Sequence, residues 1–351
     1  MMQISPEIQL FIREHSSDDV RVLALQAKKY PDIDMPTVIT QIAGRKVAAE
    51  KIPSWWEIEK IWYPKHLSLE QCSSEITARY KARLLQGDSL TDLTGGFGID
   101  CSFLATGFKS ATYVERQEEL CEIAAHNFPV LNLNHINIKN EDGVTYLQAM
   151  SPVDCLFLDP ARRNEHGGKT VAISDCEPNV AELEELLLQK ANRVMIKLSP
   201  MLDLSLALKE LKQTQEVHIL SVNNECKELL ILLGQTSPAE ISIHCVNLFT
   251  KGTQKEQHFV FTREQEQCSE CTYTDSLETY LYEPNASLLK AGTFRSIAAA
   301  YPVRKLHPNS HLYTSDTFIE NFPGRIFRIV NQCSFNKKEV KENLADLKKA
   351  N

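Results

Sequence analysis

From about residue 88 to residue 234, short apolar segments alternate with longer amphipathic ones, and this alternation constrains the fold of the 351-residue chain more than any other feature. Short apolar runs rich in β-branched residues predict buried strands, and apolar residues at three- and four-residue spacing predict helices. Strands and helices in alternation predict a parallel sheet covered on both faces. The predicted strands are residues 89–94, 110–115, 136–141, 153–159, 193–198, 216–222 and 228–234.

The last two predicted strands are joined by a connection too short for a crossover helix. Only residues 223–227 separate them, so these strands should pair antiparallel at the far end of the sheet. A parallel sheet that ends in an antiparallel pair is typical of class I methyltransferases, whereas nicotinamide-binding Rossmann domains keep their strands parallel. The pattern therefore predicts an α/β fold with a Rossmann-like, seven-stranded methyltransferase sheet.

Two further regions flank the predicted sheet. Residues 1–86 show helical periodicity interrupted by prolines, which predicts an N-terminal helical domain. Residues 87–236 form the predicted cofactor-binding domain, and residues 237–351 mix strand and helix patterns. We therefore predict a small C-terminal α+β domain as well, since a chain of this length is too long to fold around a single hydrophobic core.

Composition excludes several classes of protein. With 43% hydrophobic and 24% charged residues, the chain has the proportions of a globular protein rather than a disordered one. No apolar run approaches the roughly 18 residues of a membrane span, and the N-terminus lacks a signal-peptide pattern. The ten cysteines are scattered, as in reduced cytosolic proteins. Only Cys268 and Cys271 form a CxxC pair, without the second pair that a zinc ribbon needs, and the histidines show no metal-ligand spacing. We predict a cytoplasmic protein with neither a membrane partner nor a metal site.

A glycine-rich loop connects the first predicted strand to a helix. It reads Asp-Leu-Thr-Gly-Gly-Phe-Gly-Ile-Asp over residues 92–100. Glycines at such a turn permit positive φ angles and a close approach of a ligand to the backbone. The dinucleotide fingerprint GxGxxG fails because its third glycine position is Cys101. An acid followed by two spaced glycines is instead the pattern of a loop that binds S-adenosylmethionine. The predicted cofactor contacts in the loop are Asp92, Thr94, Gly95, Gly96 and Gly98.

Acidic residues lie at the ends of two neighbouring predicted strands. Glu115 closes the second strand, where a carboxylate can accept both hydroxyls of a ribose. Asp142 follows the third strand and is placed to contact an adenine amino group. The alternative is a generic strand-to-helix turn with solvated acids. The loop, the two acids and the sheet order together favour cofactor binding.

The fourth predicted strand ends in Asp159-Pro160-Ala161-Arg162-Arg163. Ligands of open α/β sheets bind beyond the carboxyl ends of the strands, so Asp159 should face the same crevice as the glycine loop and contact the cofactor. Methyl transfer from a sulfonium mainly requires alignment, because the leaving thioether is neutral. Asp159 and the backbone carbonyl of Pro160 are therefore the predicted catalytic acceptors of amine N–H groups. Arg162 and Arg163 are either phosphate contacts or surface charges.

Four segments together resemble those of bacterial class I S-adenosylmethionine-dependent methyltransferases that carry a C-terminal THUMP-like domain, related to RNA base and trimethylguanosine-synthase-type enzymes. The segments are EQCSSEITARYKARLL, DLTGGFGID, LDPARR followed by GGKTVAISDCEP, and YEPNASLLKAG. The resemblance covers most of the chain and implies that Thr77 and Lys81 contact the cofactor, with helix packing as the alternative for both. Guanine-modifying relatives carry a second proline or an asparagine and then an aromatic residue after the acid. This chain has Ala161 and Arg162 there, so it lacks the ring that stacks on a flipped base.

The net charge of −8 hides an uneven distribution. Residues 290–351 hold 11 Lys and Arg against 5 Asp and Glu, a net charge of +6, so the rest of the chain carries −14. A basic C-terminal part on an acidic body indicates an anionic partner, with a solvated helix or tail as the alternative. The THUMP-like resemblance implies that this partner is RNA. The predicted contacts are Lys290, Arg304 and Lys305. Tyr301 and Tyr313 are candidates either to stack on bases or to pack in a small core.

These observations predict an S-adenosylmethionine-dependent methyltransferase that modifies structured RNA at a base nitrogen. Two alternatives stay open. The same crevice can serve methylation of a protein or a small molecule, with the helical region as a lid. The chain can also be a non-catalytic RNA-binding protein that retains the cofactor fold for structure.

Overall fold

The computed structural model describes residues 4–162, 172–236, 238–334 and 336–343. The chain divides into two compact units, Met1–Val217 with Glu228–Ala239 and His218–Lys227 with Glu240–Asn351. The predicted domain boundary at residue 86 lies inside the first unit. Within the described part of the chain, no helix is both long and apolar enough to span a membrane.

The first unit begins with a set of helices, as the periodicity of its sequence predicts. They are α1 (Pro6–Glu14), α2 (Val20–Leu25), α3 (Met35–Lys51), α4 (Pro53–Trp56), α5 (His66–Gln71) and α6 (Glu75–Ala82). Proline lies in the first turn of α1, α3 and α4, where its missing N–H sacrifices no hydrogen bond. Buried side chains of the first three helices, among them Phe11, Leu23 and Ile42, form one core cluster. Trp55 of α4 packs against Phe97 of the glycine loop, with ring centroids 5.2 Å apart, and so connects the helices to the loop.

Strands and helices then alternate along the first unit. They are β1 (Ser89–Asp92), α7 (Ile99–Ala105), β2 (Ser110–Glu115), α8 (Glu118–Val130), β3 (Ile136–Asn140), α9 (Gly143–Ala149), β4 (Val153–Leu158), β5 (Ala161–Arg162), β6 (Cys176–Glu177), α10 (Val180–Lys190), β7 (Ala191–Leu198), α11 (Leu204–Glu210), β8 (Thr214–Val222) and β9 (Glu225–Gly234). The main strands lie in the order β8-β9-β7-β4-β1-β2-β3, while β5 and β6 form a separate antiparallel pair. The ladder from β7 through β4, β1 and β2 to β3 is parallel, and β9 is antiparallel to β7. The predicted α/β methyltransferase sheet is confirmed, and β9 lies between β7 and β8.

The antiparallel direction of β9 follows from a tight turn. Asn223 and Asn224 connect β8 to β9 with φ angles of 50° and 67°, a left-handed conformation that asparagine tolerates better than most residues. Strands β4, β7 and β9 are buried over most of their length, as expected for strands that are covered on both faces. An ionisable residue within one of these strands is therefore in a low-dielectric environment.

The second unit is a small α+β structure, as predicted. Its remaining elements are β10 (Ser242–Leu248), β11 (Glu256–Phe261), α12 (Arg263–Cys268), β12 (Tyr280–Pro284), α13 (Ala286–Ala291), α14 (Arg295–Ala300), β13 (Arg304–Lys305), β14 (Tyr313–Ser315), β15 (Gly324–Arg328) and α15 (Lys337–Asn343). β10 and β11 are antiparallel, and the strands β13-β14-β12-β15 form an antiparallel four-stranded sheet. Tyr282, Tyr313 and Phe322 are fully buried in this unit. Tyr313 is therefore a core residue, and its hydroxyl donates to the carbonyl of Phe294 at 2.8 Å, which corrects its candidacy for base stacking.

Candidate functional site

The glycine loop lies between β1 and α7 and makes a turn that only glycines can form. Gly96 has a φ angle of +54°, and a Cβ there would meet nothing nearer than the Thr94 carbonyl oxygen at 3.7 Å, so the space beside it is open. Gly95 is required for a different reason, because a Cβ there would lie 2.2 Å from the ring of Tyr113. Gly98, the last predicted loop contact, is the residue immediately before α7. The loop thus packs tightly on β2 on one side and leaves backbone accessible at Gly96.

Glu115, at the carboxyl end of β2, fixes the conformation of this loop. Its Oε2 accepts a hydrogen bond from the backbone N–H of Gly96 at 2.9 Å, and its Oε1 accepts one from the N–H of Gln117 at 2.8 Å. The Tyr113 hydroxyl donates to the Gly96 carbonyl from the same strand. Each carboxylate oxygen can accept a second hydrogen bond, so Glu115 remains suited to the predicted ribose contact.

Asp92, at the carboxyl end of β1, has a buried carboxyl group that is only half satisfied. Oδ1 accepts from the backbone N–H of Thr94 at 3.0 Å, whereas Oδ2 has no hydrogen-bond partner among the described residues. Burial raises the pKa of Asp92 to about 8, although the hydrogen bond from Thr94 opposes this rise. A buried oxygen without a donor is costly, so this atom indicates a place for a cationic or hydrogen-bond-donating ligand.

Thr94 connects the glycine loop to the end of β4. Its hydroxyl oxygen accepts a hydrogen bond from the backbone N–H of Asp159 at 2.6 Å. The structure therefore brings Asp92, Thr94 and Asp159 together at the carboxyl edge of the sheet, as the sequence predicts for neighbouring parallel strands. The side chain of Asp159 is 36% exposed, which leaves part of its carboxylate accessible to a ligand.

Two buried lysines and three acids, one of them Asp159, form an ion network. Lys81 of α6 pairs with Asp100 of α7 at 2.9 Å and with Glu228 of β9 at 2.6 Å. Lys197 of β7 pairs with Asp159 and lies 3.5 Å from Asp100 Oδ2. These five side chains join the helical region, the glycine-loop helix and three strands of the sheet.

Ser73 lies at the centre of this network. Its hydroxyl oxygen accepts from the ammonium of Lys81 at 2.7 Å and from that of Lys197 at 3.2 Å, and the hydroxyl donates to Asp100 Oδ2 at 2.7 Å. A single hydroxyl therefore links both lysines to an acid. Hydrogen bonds of this kind hold buried charges in fixed positions.

The network carries one more negative than positive charge when all five groups are ionised. Burial opposes the ionisation of Asp100, but the ammonium groups of Lys81 and Lys197 outweigh burial and hold its pKa below the ordinary value. Burial likewise opposes the charge of Lys197, but the nearby carboxylates, Asp159 foremost, raise its pKa above the ordinary value. Both groups are therefore charged near neutral pH. The excess negative charge favours a cationic ligand at this edge of the sheet.

Several predicted site residues have other roles in the structure. Thr77 is 1% exposed and its hydroxyl donates to the Ser74 carbonyl at 3.1 Å, while Lys81 is 0% exposed within the ion network. Both polar groups are buried and already have partners within the protein, unlike Asp92 Oδ2, so neither is left for a ligand, which corrects the prediction that both contact the cofactor directly. Asp142 is the N-cap of α9, where Oδ1 accepts from two backbone N–H groups, and it is exposed. Its predicted adenine contact stays a prediction.

The segment after β4 is described only in part. Pro160 is buried next to Asp159. The backbone of Arg162 pairs in β5 with Cys176 of β6. Arg163 lies outside the described residues. The predicted phosphate contacts of both arginines therefore stay predictions.

Sequence reasoning did not find Lys197, Glu228 and Ser73 as site residues, and it did not use Asp100. A signal was nevertheless present, because Lys197 interrupts the apolar run 193–198 and Glu228 opens the predicted strand 228–234. An ionisable residue in such a run is buried and must be paired. Which groups pair with it depends on contacts between segments far apart in the chain.

In the second unit, the predicted RNA contacts differ in accessibility. Lys305 is 2% exposed, and its ammonium donates to the carbonyl oxygens of His307, Pro308 and Ser310. Lys305 therefore organises the loop that follows it and is unsuited to contact RNA, which corrects that prediction. Arg304 forms an ion pair with Glu278 and its side chain is 45% exposed. Lys290 lies in the last turn of α13 and is half-buried.

Comparison with protein families places a known domain in the second unit. A family model described as a ferredoxin-like domain matches residues 280–323, which contain β12, β13, β14 and two helices. The C-terminal region is thus similar to ferredoxin-like domains, and its predicted THUMP-like character stays a prediction. No curated protein matches the chain.

Solved structures give a match over nearly the whole chain. The crystal structure of a “putative methyltransferase” from Porphyromonas gingivalis W83 is 34% identical, with a TM-score of 0.85 over 97% of this chain and 85% of that chain. A conserved hypothetical protein from Streptococcus pyogenes is 16% identical over 45% of this chain and 91% of its own, with a TM-score of 0.33. An rRNA methylase from Streptococcus thermophilus is 14% identical over 45% and 93%, also with a TM-score of 0.33. The last two scores are too low to support a conclusion. On the strength of the first match, this chain belongs to the family of the Porphyromonas gingivalis protein.

Proposed function

We propose that this protein is an S-adenosylmethionine-dependent methyltransferase. The observation that carries the proposal is the half-satisfied, buried carboxyl group of Asp92 beside the open backbone at Gly96. Glu115 and Asp159 lie at the carboxyl ends of β2 and β4, the two strands that flank β1. Membership in the family of the Porphyromonas gingivalis protein supports the same activity.

The residues present fit a cationic nucleoside. Asp92 would hold a positive group at Oδ2, which lacks a partner among the described residues, and that charge would favour loss of the carboxyl proton that burial retains. Glu115 would accept from ribose hydroxyls, and the open space at Gly96 would admit the ligand close to the backbone. S-adenosylmethionine, when bound, supplies a methyl group activated on a sulfonium that leaves as a neutral thioether.

For methyl transfer, this chain has to align an acceptor. Asp159 is the accessible carboxylate of the site, and it can accept N–H hydrogen bonds that orient the lone pair of an acceptor nitrogen. Thr94 fixes the backbone of Asp159 and thereby sets where that carboxylate lies. In the overall reaction the nitrogen gains the methyl carbon as the C–S bond breaks, the bonding electrons go to sulfur, and the acceptor loses one proton to water.

As the acceptor we propose a base nitrogen in structured RNA. The net charge of +6 on residues 290–351 supports an anionic partner. Arg328 on β15 and Lys337 and Lys338 at the start of α15 are exposed, so they are better candidates for phosphate contacts than the buried Lys305. Arg325 lies on the same strand as Arg328 and forms an ion pair with Glu283 on the neighbouring strand.

The first experiment follows labelled methyl from S-adenosylmethionine into total RNA of cells that lack this protein. Wild-type protein should label RNA, and Asp159→Asn should not, because an amide presents one acceptor oxygen and no charge. Cofactor binding, measured by calorimetry, should survive in Asp159→Asn and weaken in Asp92→Asn. Nuclease digestion of labelled RNA then identifies the modified nucleotide.

The outcomes separate the three candidate functions. Label in protein or in small molecules but not in RNA would support a methyltransferase with another acceptor. Cofactor binding without transfer to any fraction would support a binding protein that retains the fold. No cofactor binding by the wild-type protein would refute the proposal altogether.

A matched pair of charge reversals tests the RNA contact. Lys337→Glu with Lys338→Glu reverses two exposed charges in the basic region, and Lys28→Glu with Lys29→Glu reverses two exposed charges outside it. The first variant should lower RNA labelling, most clearly at low salt, and its labelling should depend less on salt than that of the wild type, because it has lost phosphate contacts that release counterions. The second should leave labelling unchanged. Equal effects of both pairs would contradict an RNA contact at the C-terminal region.

A further inference from the structure

Lys197 is a buried cation at the carboxyl end of β7, directly beside the accessible acid of the site. Its side chain is 9% exposed, and its ammonium pairs with Asp159 Oδ2 while lying 3.5 Å from Asp100 Oδ2. The neighbouring residues of β7, from Val194 to Leu198, are buried as well. A lysine in such a strand is costly to bury, so its position calls for a role beyond packing.

We propose that Lys197 is a positioning residue for methyl transfer, which holds Asp159 ionised and oriented toward the acceptor. The inference rests on the proposed function, because the ion pair would serve Asp159 in aligning a methyl acceptor. Lys197 contacts Oδ2 of the carboxylate, and the Asp159 side chain is still 36% exposed, so part of it remains for a ligand.

The surroundings of Asp159 explain why it needs a cation. Burial is the main factor that raises the pKa of Asp159, and the carboxylate of Asp100 of α7 adds to it. Asp92 of β1 is a further acidic neighbour. Lys197 of β7 is the cation in contact with Asp159. Lys81 of α6 also lowers the pKa of Asp159, but less strongly. Burial raises the pKa of Asp159, and the ammonium of Lys197 opposes that rise most strongly. Without Lys197, the carboxyl group would therefore hold its proton to higher pH.

The protonation state decides what Asp159 can do for an acceptor. An ionised carboxylate only accepts hydrogen bonds, so it can hold the N–H groups of an amine. A protonated carboxyl donates through one oxygen and would orient the lone pair toward itself instead of toward the methyl group. Lys197, held charged by its acidic neighbours, cannot take up the proton of the acceptor and therefore acts through Asp159.

The test is the titration of the Asp159 carboxyl, measured by carbon NMR of aspartate-labelled, cofactor-free protein and assigned by difference from Asp159→Asn. In Lys197→Met the midpoint should rise by about one pH unit or more, the usual effect of losing a cation within contact distance. Lys197→Arg keeps the charge and should keep the wild-type midpoint. Lys81→Met removes a lysine that is also buried but does not contact Asp159, so it should shift the midpoint less.

The pH profile of methyl transfer supplies the second readout. The acidic limb of the profile should move upward in Lys197→Met by the same amount as the titration, and Lys197→Arg should restore it. If Lys197→Met does not fold, Lys197→Gln replaces it in both measurements.

Two results would overturn the inference. One is an unchanged Asp159 midpoint in Lys197→Met, and the other is an equal shift in Lys81→Met. Failure of the proposed function would be recognised separately, since wild-type protein would then transfer no methyl group while the carboxyl titration still showed the ion pair.

Discussion

Replacing Lys81 with methionine should destabilise the first unit strongly, because this change removes the charge at the most buried point of the ion network. Lys81 is 0% exposed, and its ammonium lies 2.9 Å from Asp100 and 2.6 Å from Glu228. Methionine fills similar space without charge. The carboxylate of Glu228 then keeps the hydroxyl of Ser73, 3.2 Å away, as its remaining contact within the network.

The magnitude follows from the distances and the burial. At contact distance and an effective dielectric constant of about 20, each ion pair is worth roughly 6 kcal/mol before desolvation is counted. Desolvation of the three groups cancels much of that sum, and breaking a buried pair from one side typically costs about 3–5 kcal/mol. We expect Lys81→Met to lower the free energy of unfolding by that amount.

A surface ion pair of the same length provides the matched control. Lys109 pairs with Asp88 at 2.9 Å, but the two side chains are 79% and 70% exposed. Lys109→Met should cost less than about 1 kcal/mol, since water already solvates both charges. The Lys81–Asp100 and Lys109–Asp88 pairs have the same length, so the two variants compare a buried lysine that contacts two acids with an exposed lysine that contacts one.

Urea unfolding followed by circular dichroism gives both values, provided that the slope m is unchanged. A double-mutant cycle with Glu228→Gln should show a coupling energy of about 2 kcal/mol or more with Lys81→Met, because the second change removes the charge that the first leaves unpaired. The reasoning would be refuted if Lys81→Met cost no more than Lys109→Met.

Three further predictions concern single groups. Burial raises the pKa of Asp92 from 3.8 to about 8, so the folded protein keeps this proton where the unfolded chain has lost it. The stability of the wild type should therefore fall as pH rises from about 4 to 8, and Asp92→Asn should gain stability relative to it over that range. Parallel stability curves would contradict this. Gly95→Ala should cost roughly 1–3 kcal/mol in thermal unfolding, because its Cβ would lie 2.2 Å from the Tyr113 ring, whereas Gly107→Ala, with 3.7 Å to its nearest neighbour, should be nearly neutral. Lys305→Met should destabilise the second unit by roughly 1.5–3 kcal/mol, since it removes the charged donor of three carbonyl groups, and faster hydrogen exchange in the loop 307–310 should show the loss.

The parts of the site that sequence predicts well are those that depend on local geometry. Gly96 is recognised because its turn needs a positive φ angle, which the residue type reveals directly. Glu115 and Asp159 are found because the carboxyl ends of parallel strands share one edge of the sheet, and the strands themselves follow from their apolar runs. Each of these inferences uses only a short segment and one general rule.

The parts that sequence misses or misplaces depend on burial. Lys81 and Lys305 were both expected to face ligands, and both are enclosed, one by acids and the other by carbonyl oxygens. Tyr313 was equally able to stack on a base or fill a core, and it lies in the core. Residue type alone does not distinguish these outcomes, because lysine and tyrosine have an apolar stem and a polar end that suit either environment.

By itself, the sequence determined the alternation of strands and helices, the turn of the glycine loop and the acids at the strand ends, since periodicity and backbone sterics act over a few residues. Only the tertiary structure decided which charges meet. Ser73, Lys81 and Glu228 come from separate segments, and Lys197 meets Asp159 only because β7 lies beside β4. The energy of a charge depends on its distance from other charges and from water, and both distances are set by long-range packing.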